Sequence, residues 1–377
     1  MKKKPIIKKT AIPEMGIMSF EHQNLIQHYI NVYPPKCGDF RLMFEQLTKY
    51  IMDNQIDILS QFVFGDRKMQ NSDLFNIEDY PGLNKWPVTY IHGSTSSDNI
   101  VYGTQLFAVS GVNLTPVCFK GKITGFYYED NDAAYCYLGD IRPENNDLSN
   151  ADQTLQVFDN INDALSGIGM DYTNVVRTWF YLDKLFNWYS EFNEVRTKYY
   201  RKFGILETLV PASTGIGAGN LQGAPLVSNI LAIKPKHSNV SIREVPSPMQ
   251  CSATDYKSSF SRAVEIKFPD YRQLFISGTA SVDNEGRTIF IDNIKEQVDY
   301  TMKVIEEIFK SCSMNWDNAV RAIVYLKNIQ DIPVFNEFCR KNHLPSFPLC
   351  ICQSDICRED FLFEIEIDFI KINDDEK

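Results

Sequence analysis

Residues 169–182 read GMDYTNVVRTWFYL and residues 313–326 read SMNWDNAVRAIVYL. Met170 answers Met314, Asn174 answers Asn318, Val176-Arg177 answers Val320-Arg321, and Tyr181-Leu182 answers Tyr325-Leu326, all at one offset (321 − 177 = 144). The same offset links Gln153 to Gln297, and FNEVR (192–196) answers FNEFCR (335–340) with one residue of slippage. Matches held at a fixed spacing across several segments mark an internal duplication.

Each copy parses alike. An extended pair opens it, QLFAVSGVNL (105–114) in the first and QLFISGTASV (273–282) in the second. A helix follows, with Leu155, Phe158 and Ile161 at helical spacing in one copy and Val298, Met302 and Ile305 in the other. A β-branched and aromatic strand comes next, VVRTWFYL or AVRAIVYL, then a second amphipathic helix with the FNE triplet and a closing strand. The order β-β-α-β-α-β predicts an α+β fold, with mixed sheets and helices packed on one face. Trp179, Tyr181, Trp188 and Tyr189 read as core. The first repeat is expected over residues 87–236 and the second over 245–372, after a divergent region of 86 residues. Within that region FRLMFEQLTKYIMDNQIDILSQFVFGD (40–66) fits a helix and strand of an eroded third copy, which would make an intrachain pseudo-trimer. Residues 66–87, polar and turn-rich, read as a linker.

An apolar fraction of 44% with 13% aromatics is that of a globular chain. No run approaches the roughly 18 apolar residues that cross a bilayer, so no membrane partner is expected. The start, MKKKPIIKKTAIPEMGIMSF (1–20), has a basic beginning without an apolar stretch after it and reads as a flexible arm. Nine cysteines scattered through apolar segments suit reduced thiols in a cytoplasm. Cys350, Cys352 and Cys357 cluster, but no second cysteine pair or histidine stands at ligand spacing, so no metal is expected. A net charge of −10 argues against nucleic acid. A small anionic metabolite would need only a few arginines gathered at one place.

The last apolar run, FLFEIEID (361–368), alternates. Phe361, Phe363, Ile365 and Ile367 face one way and Glu364, Glu366 and Asp368 the other. Three carboxylates on one strand face repel one another, so that face is either wet or functional. A carboxyl in an apolar pocket beside other carboxylates gains a raised pKa and can act as a general acid near neutrality. The first copy has uncharged Val227 or Ser228 at the corresponding place. It has instead a glycine-rich stretch, Thr214-Gly215-Ile216-Gly217-Ala218-Gly219, expected to be a loop whose backbone N–H groups approach a ligand. An acid from one copy and a cradle from the other are what a single composite pocket would need.

VVRTWFYLDKLFNWYSEFNEVR (175–196), VPASTGIGAGNLQGAPLVSNILAI (210–233), FISGTASVD (275–283) and DICREDFLFEIEI (355–367) together resemble the RidA (YjgF, endoribonuclease L-PSP-like) fold. The likeness is closer to the chorismatases built from that fold, and it runs from residue 88 to 371. It implies tandem RidA-like domains with a site between them, as a monomer or a homo-trimer. It also implies an enzyme that removes pyruvate from chorismate without metal or organic cofactor. Glu364 is then the general acid toward the enolpyruvyl methylene, with Glu366 as the fallback. Cys357 and Gly278 follow the pattern of chorismatases that form 3-hydroxybenzoate rather than a dihydrodiol. Arg196, Arg340 and Arg358 are candidates for the two carboxylates of chorismate, since a planar guanidinium suits bidentate capture. Ser213, Thr214 and Gly215 would line the cradle. Arg177 and Arg321, matched across the copies, read as supports of the fold. RidA imine deaminases carry a carboxylate-gripping arginine two residues after the proline of the closing strand; Ser213 and Cys350 stand there, which counts against imine hydrolysis. Another RidA-fold hydrolase or deaminase acting on a small carboxylate, or a non-catalytic metabolite-binding protein, remains the alternative.

Overall fold

The computed structural model describes residues 4–35, 39–66, 85–93 and 101–373. In the first sheet β1 (Ile6–Ile12), β2 (Met15–His22) and β3 (Leu25–Val32) form a meander, α1 (Phe40–Asn54) leads to β4 (Asp57–Asp66), and β5 (Val88–Gly93) and β6 (Val101–Ser110) complete it. The second takes β7 (Thr115–Phe119), β8 (Lys122–Glu129), β9 (Ala133–Ile141), α2 (Asn150–Ser166), β10 (Val175–Leu182), α3 (Tyr189–Lys202), β11 (Ala212–Gly217) and β12 (Leu226–Pro235). The third takes β13 (Ser241–Val245), β14 (Ala263–Lys267), β15 (Tyr271–Ala280), α4 (Ile294–Ser311), β16 (Ala319–Leu326), α5 (Ile332–Lys341) and β17 (Leu349–Gln353). A two-residue strand, β18 (Asp355–Ile356), and β19 (Phe363–Ile372) follow. The strand orders are β1-β2-β3-β6-β4-β5, β7-β8-β9-β12-β10-β11-β18, in which β18 is lent by the third lobe, and β13-β14-β15-β19-β16-β17. One topology is used three times, and each time the strand after the crossover helix pairs in parallel with the next strand in sequence.

Local chemistry explains the repeat. Asp39, Ser149 and Asn293 cap α1, α2 and α4 by accepting from backbone N–H groups of the first turn. Asp171 and Asn315 each close a reciprocal capping box on a single 3₁₀ turn that launches β10 or β16. The outer face of each sheet is covered by its own helices, through Met43 and Phe44 of α1, Val157 and Phe158 of α2, and Val298 and Met302 of α4. The inner faces share one core, to which Phe20, Phe62 and Phe107 contribute from the first sheet, Tyr135 and Trp179 from the second, and Phe275 and Tyr325 from the third.

The closing strands tie the lobes together. Gln105 of β6 donates to the carbonyl of Ala322 in the third lobe at 3.1 Å. Asn229 of β12 donates to Ser60 Oγ in the first at 3.2 Å. Glu366 of β19 accepts from Arg177 in the second at 2.9 Å. The three occupy the same place in the shared topology: each lies two residues before the partner (Phe107, Leu231, Asp368) of the first residue beyond a bulge in the neighbouring strand.

Two expectations change. The stretch 105–114 does not open the second sheet; its strand is β6, paired with β3 and β4 inside the first. Buried on both faces, it reads like any central strand, and its likeness to residues 273–282 misled. The basic arm is not free either: Ile6–Ile12 pairs antiparallel with Met15–His22. Of the linker expected at 66–87, residues 67–84 lie outside the described residues. Among the described residues no helix is long and apolar enough to cross a membrane.

Candidate active site

The acidic face of β19 points inward. Glu364 is 4% exposed, Glu366 0% and Asp368 1%, while Phe363, Ile365 and Ile367 pack into the core beneath α4 and α5. A buried charge has to be paired. Glu366 takes Arg177 Nη2 at 2.9 Å, Trp179 Nε1 at 2.7 Å and an ion pair with Arg321. Arg321 also meets Asp368 at 3.3 Å. The two arginines, equivalent in β10 and β16, are thus the counter-charges of this strand. Removing one partner of such a buried pair costs about 3–5 kcal/mol.

Glu364 is held differently. Among the described residues it has no ion-pair partner. Burial, then repulsion from Glu366, pushes its carboxyl up to about 8, against the pull of Arg177 and Arg262. It therefore keeps its proton at neutral pH. Its counterpart in the second sheet is Val227, since Val227 faces Tyr181 as Glu364 faces Tyr325.

The glycine at 278 follows from that carboxyl. β15 bulges between Ile276 and Thr279, so the pleat places an extra residue beside Glu364. A Cβ on Gly278 would stand 2.0 Å from Glu364 Oε1. The Gly278 N–H donates to Thr214 Oγ1 at 3.1 Å, and Arg177 Nη2 donates to the same oxygen at 2.6 Å.

Glu364 borders a cavity of about 340 Å³ between the second and third lobes, lined also by Ser213, Gly215, Gly278, Cys357 and Arg358. That is the small end of the range for ligand sites, roughly 300–1,000 Å³. Cys357 and Arg358 arrive there because β18, immediately before them, crosses to pair antiparallel with β11 of the second lobe. A Cβ on Gly217 would meet the Asp355 Cβ at 2.6 Å. Gly217 thus admits a strand, and residues 214–217 lie in β11 rather than in the expected loop, paired with β10 along their length and with β18 at Ile216 and Gly217. Burial and the neighbouring Glu364 push the Cys357 thiol up to about 12, so it stays a neutral thiol.

Three guanidinium groups border the cavity. Arg196 of α3 is buried, with Nη2 on Asn193 Oδ1 at 2.6 Å and Ser258 Oγ at 3.0 Å. Arg358 lies over the rings of Tyr256 and Phe361 and donates to the Gly286 carbonyl at 2.8 Å. Arg262, over Tyr256 and Phe260, donates to the Cys251 carbonyl at 2.9 Å. Arg340 is not among them. The one-residue slip between FNEVR and FNEFCR sets Cys339 at the place of Arg196, and Arg340 turns outward on α5, exposed. Thr214 and Glu366 lie behind the cavity wall, in the hydrogen-bonded layer that supports Glu364.

Sequence reasoning missed Arg262, Tyr256 and Asn193, which stand on a loop or inside a repeat motif without any distinguishing pattern. Tyr189, read as core with its aromatic neighbours, stacks on Phe192 but also borders the cavity, its hydroxyl against Gly215.

Residues 252–370 match the family described as Endoribonuclease L-PSP. Over 239 residues the chain is 24% identical to a chorismatase of Streptomyces hygroscopicus, covering 57% of this chain and 67% of that protein. Over 222 residues it is 25% identical to a 3-hydroxybenzoate synthase of the same organism, covering 52% and 63%. The matches span about two thirds of the length of those relatives. The crystal structure of a chorismatase shares the fold with a TM-score of 0.61 at 19% identity, covering 83% of this chain and 93% of that one.

Proposed function

On the footing that this chain is a RidA-like protein with the architecture of the chorismatases, we propose that it removes pyruvate from chorismate in the cavity between its second and third lobes. The buried, protonated carboxyl of Glu364 carries this reading. Its proton goes to the methylene carbon of the enolpyruvyl group, leaving an oxocarbenium ion and a Glu364 carboxylate. Electrostatic stabilisation by that carboxylate, with Glu366 behind it, offsets the positive charge as it develops. Pyruvate then departs along one of two balanced routes. Addition of water to the cation and cleavage of its carbon–oxygen bond gives pyruvate and a dihydrodiol. The other route consumes no water. The adjacent ring hydroxyl adds to the cation, and one ring carbon–oxygen bond breaks so that its oxygen leaves as the keto oxygen of pyruvate. A ring proton returns to the Glu364 carboxylate as the ring aromatises, so that pyruvate and 3-hydroxybenzoate together hold the atoms of chorismate. Cys357 as a neutral thiol at the wall and glycine at 278 favour the second route. The substrate's carboxylates face Arg196, Arg262 and Arg358.

The test is to incubate the purified protein with chorismate, measure pyruvate by coupled reduction, and separate the ring product by chromatography. Pyruvate and 3-hydroxybenzoate in equal amounts are expected. A folded protein that releases no pyruvate overturns the assignment.

A further inference from the structure

Two residues along the strand from the proposed acid, Glu366 is gripped by more donors than a structural ion pair requires, and its grip reaches the acid's own resting place. Arg177 is the hinge of this arrangement. One of its nitrogens, Nη2, serves both Glu366 Oε2 at 2.9 Å and Thr214 Oγ1 at 2.6 Å. Thr214 Oγ1 accepts the Gly278 N–H at 3.1 Å, and Gly278 is the residue against which the Glu364 carboxyl lies. A continuous buried path therefore runs from the Glu366 carboxylate, through a second-lobe arginine and threonine, to the third-lobe bulge. None of these links touches the cavity except at its end.

We propose that Glu366, Arg177 and Thr214 form a positioning relay for Glu364: the anchored charge of Glu366 is the fixed like-charged neighbour of the buried Glu364 carboxyl, and the Arg177–Thr214 arm fixes the bulge that aims it. This rests on the reading of Glu364 as the acid. The groups that face Glu364 are Glu366 on its own strand, Arg177 from β10, Arg262 beside β14, Cys357 after β18 and Tyr189 of α3. Of these only Glu366 adds a like charge held in place by three donors. Side chains two apart on one strand face sit about 7 Å from each other. At an effective dielectric near 20 that separation displaces a titration by roughly one to two pH units. Burial raises the same titration first and the neighbouring arginines pull the opposite way, so what the relay adds to burial depends on Glu366.

The experiment labels glutamate carboxyls with ¹³C and follows the titration of residue 364 by NMR in the substrate-free protein, assigned by its loss in Glu364→Gln. In Glu366→Gln the midpoint should fall by about one unit or more. Should the single variant fail to fold, the charge-balanced pair Glu366→Gln with Arg321→Gln is measured instead, with the same expected fall. A midpoint that stays in place in the folded variant overturns the relay. Thr214→Val, which cuts the arm but leaves every charge, should keep the midpoint and lower kcat about tenfold with KM held; an unchanged kcat overturns the second arm. Because the titration needs no chorismate, its outcome is independent of whether pyruvate release is observed.

Discussion

Replacing Glu364 with glutamine should stabilise the fold while disabling the site. The carboxyl titrates at about 8 in the folded chain, against a reference value of 4.5. Between those values the folded protein retains a proton that the unfolded chain has released, so stability falls as pH rises, by about 1.4 kcal/mol per unit. Raising the pH from about 5 to about 7.5 therefore removes on the order of 3 kcal/mol from the wild type. Glutamine keeps the shape of the protonated acid and escapes that loss. Urea titrations of both proteins at the two pH values measure it, and the difference between them isolates residue 364 because Asp368 titrates in both. The variant should gain about 3 kcal/mol over the wild type between the lower and the higher pH. A gap that does not widen with pH would refute the claim that this carboxyl is buried and protonated. The same raised value implies that pyruvate release declines as pH passes upward through about 8, where the acid loses its proton.

Other consequences follow from named contacts. Gly278→Ala puts a methyl group onto Glu364 Oε1, and the displaced carboxyl should slow pyruvate release by about 100-fold, measured in the coupled assay; a wild-type rate would contradict the geometry. Cys357→Ala should leave pyruvate release within about threefold of wild type while the ring product shifts toward the dihydrodiol, because a neutral thiol outside the first protonation matters only afterwards; chromatography decides. Arg196→Ala strands Asn193 and Ser258 and should lose about 2–4 kcal/mol in urea denaturation, whereas Arg340→Ala on exposed α5 should change stability by less than about 0.5 kcal/mol.

Much of the architecture was legible in the chain. Val176-Arg177 and Val320-Arg321 repeat because each pair follows a capping turn and each arginine must reach Glu366. The first lobe hides the same topology, because its inward positions carry different chemistry: Ser60 stands where Arg177 and Arg321 stand, immediately after the bulge. Hydrogen bonding between lobes can be satisfied by a serine and an asparagine in one seam and by an arginine and a glutamate in another, so residue identity erodes while strand order persists. In the site, the alternation of residues 361–368 exposed the acid, and the strand's inward orientation explains why a face with three carboxylates is kept dry. The glycine-rich stretch was legible as a close approach but not as what approaches: Asp355 of β18, contributed from across the lobe boundary. Arg262 and Tyr256 carry no one-dimensional signal, since a loop between β13 and β14 has no periodicity to break.

Pyruvate release from chorismate by wild type and by Glu364→Gln, side by side at neutral pH and with binding checked by calorimetry, bears most directly on the idea of a single buried proton donor. Turnover by the wild type and a loss of about 100-fold or more in the variant, with chorismate still bound, is expected. Equal rates from the two proteins would show that the proton comes from elsewhere.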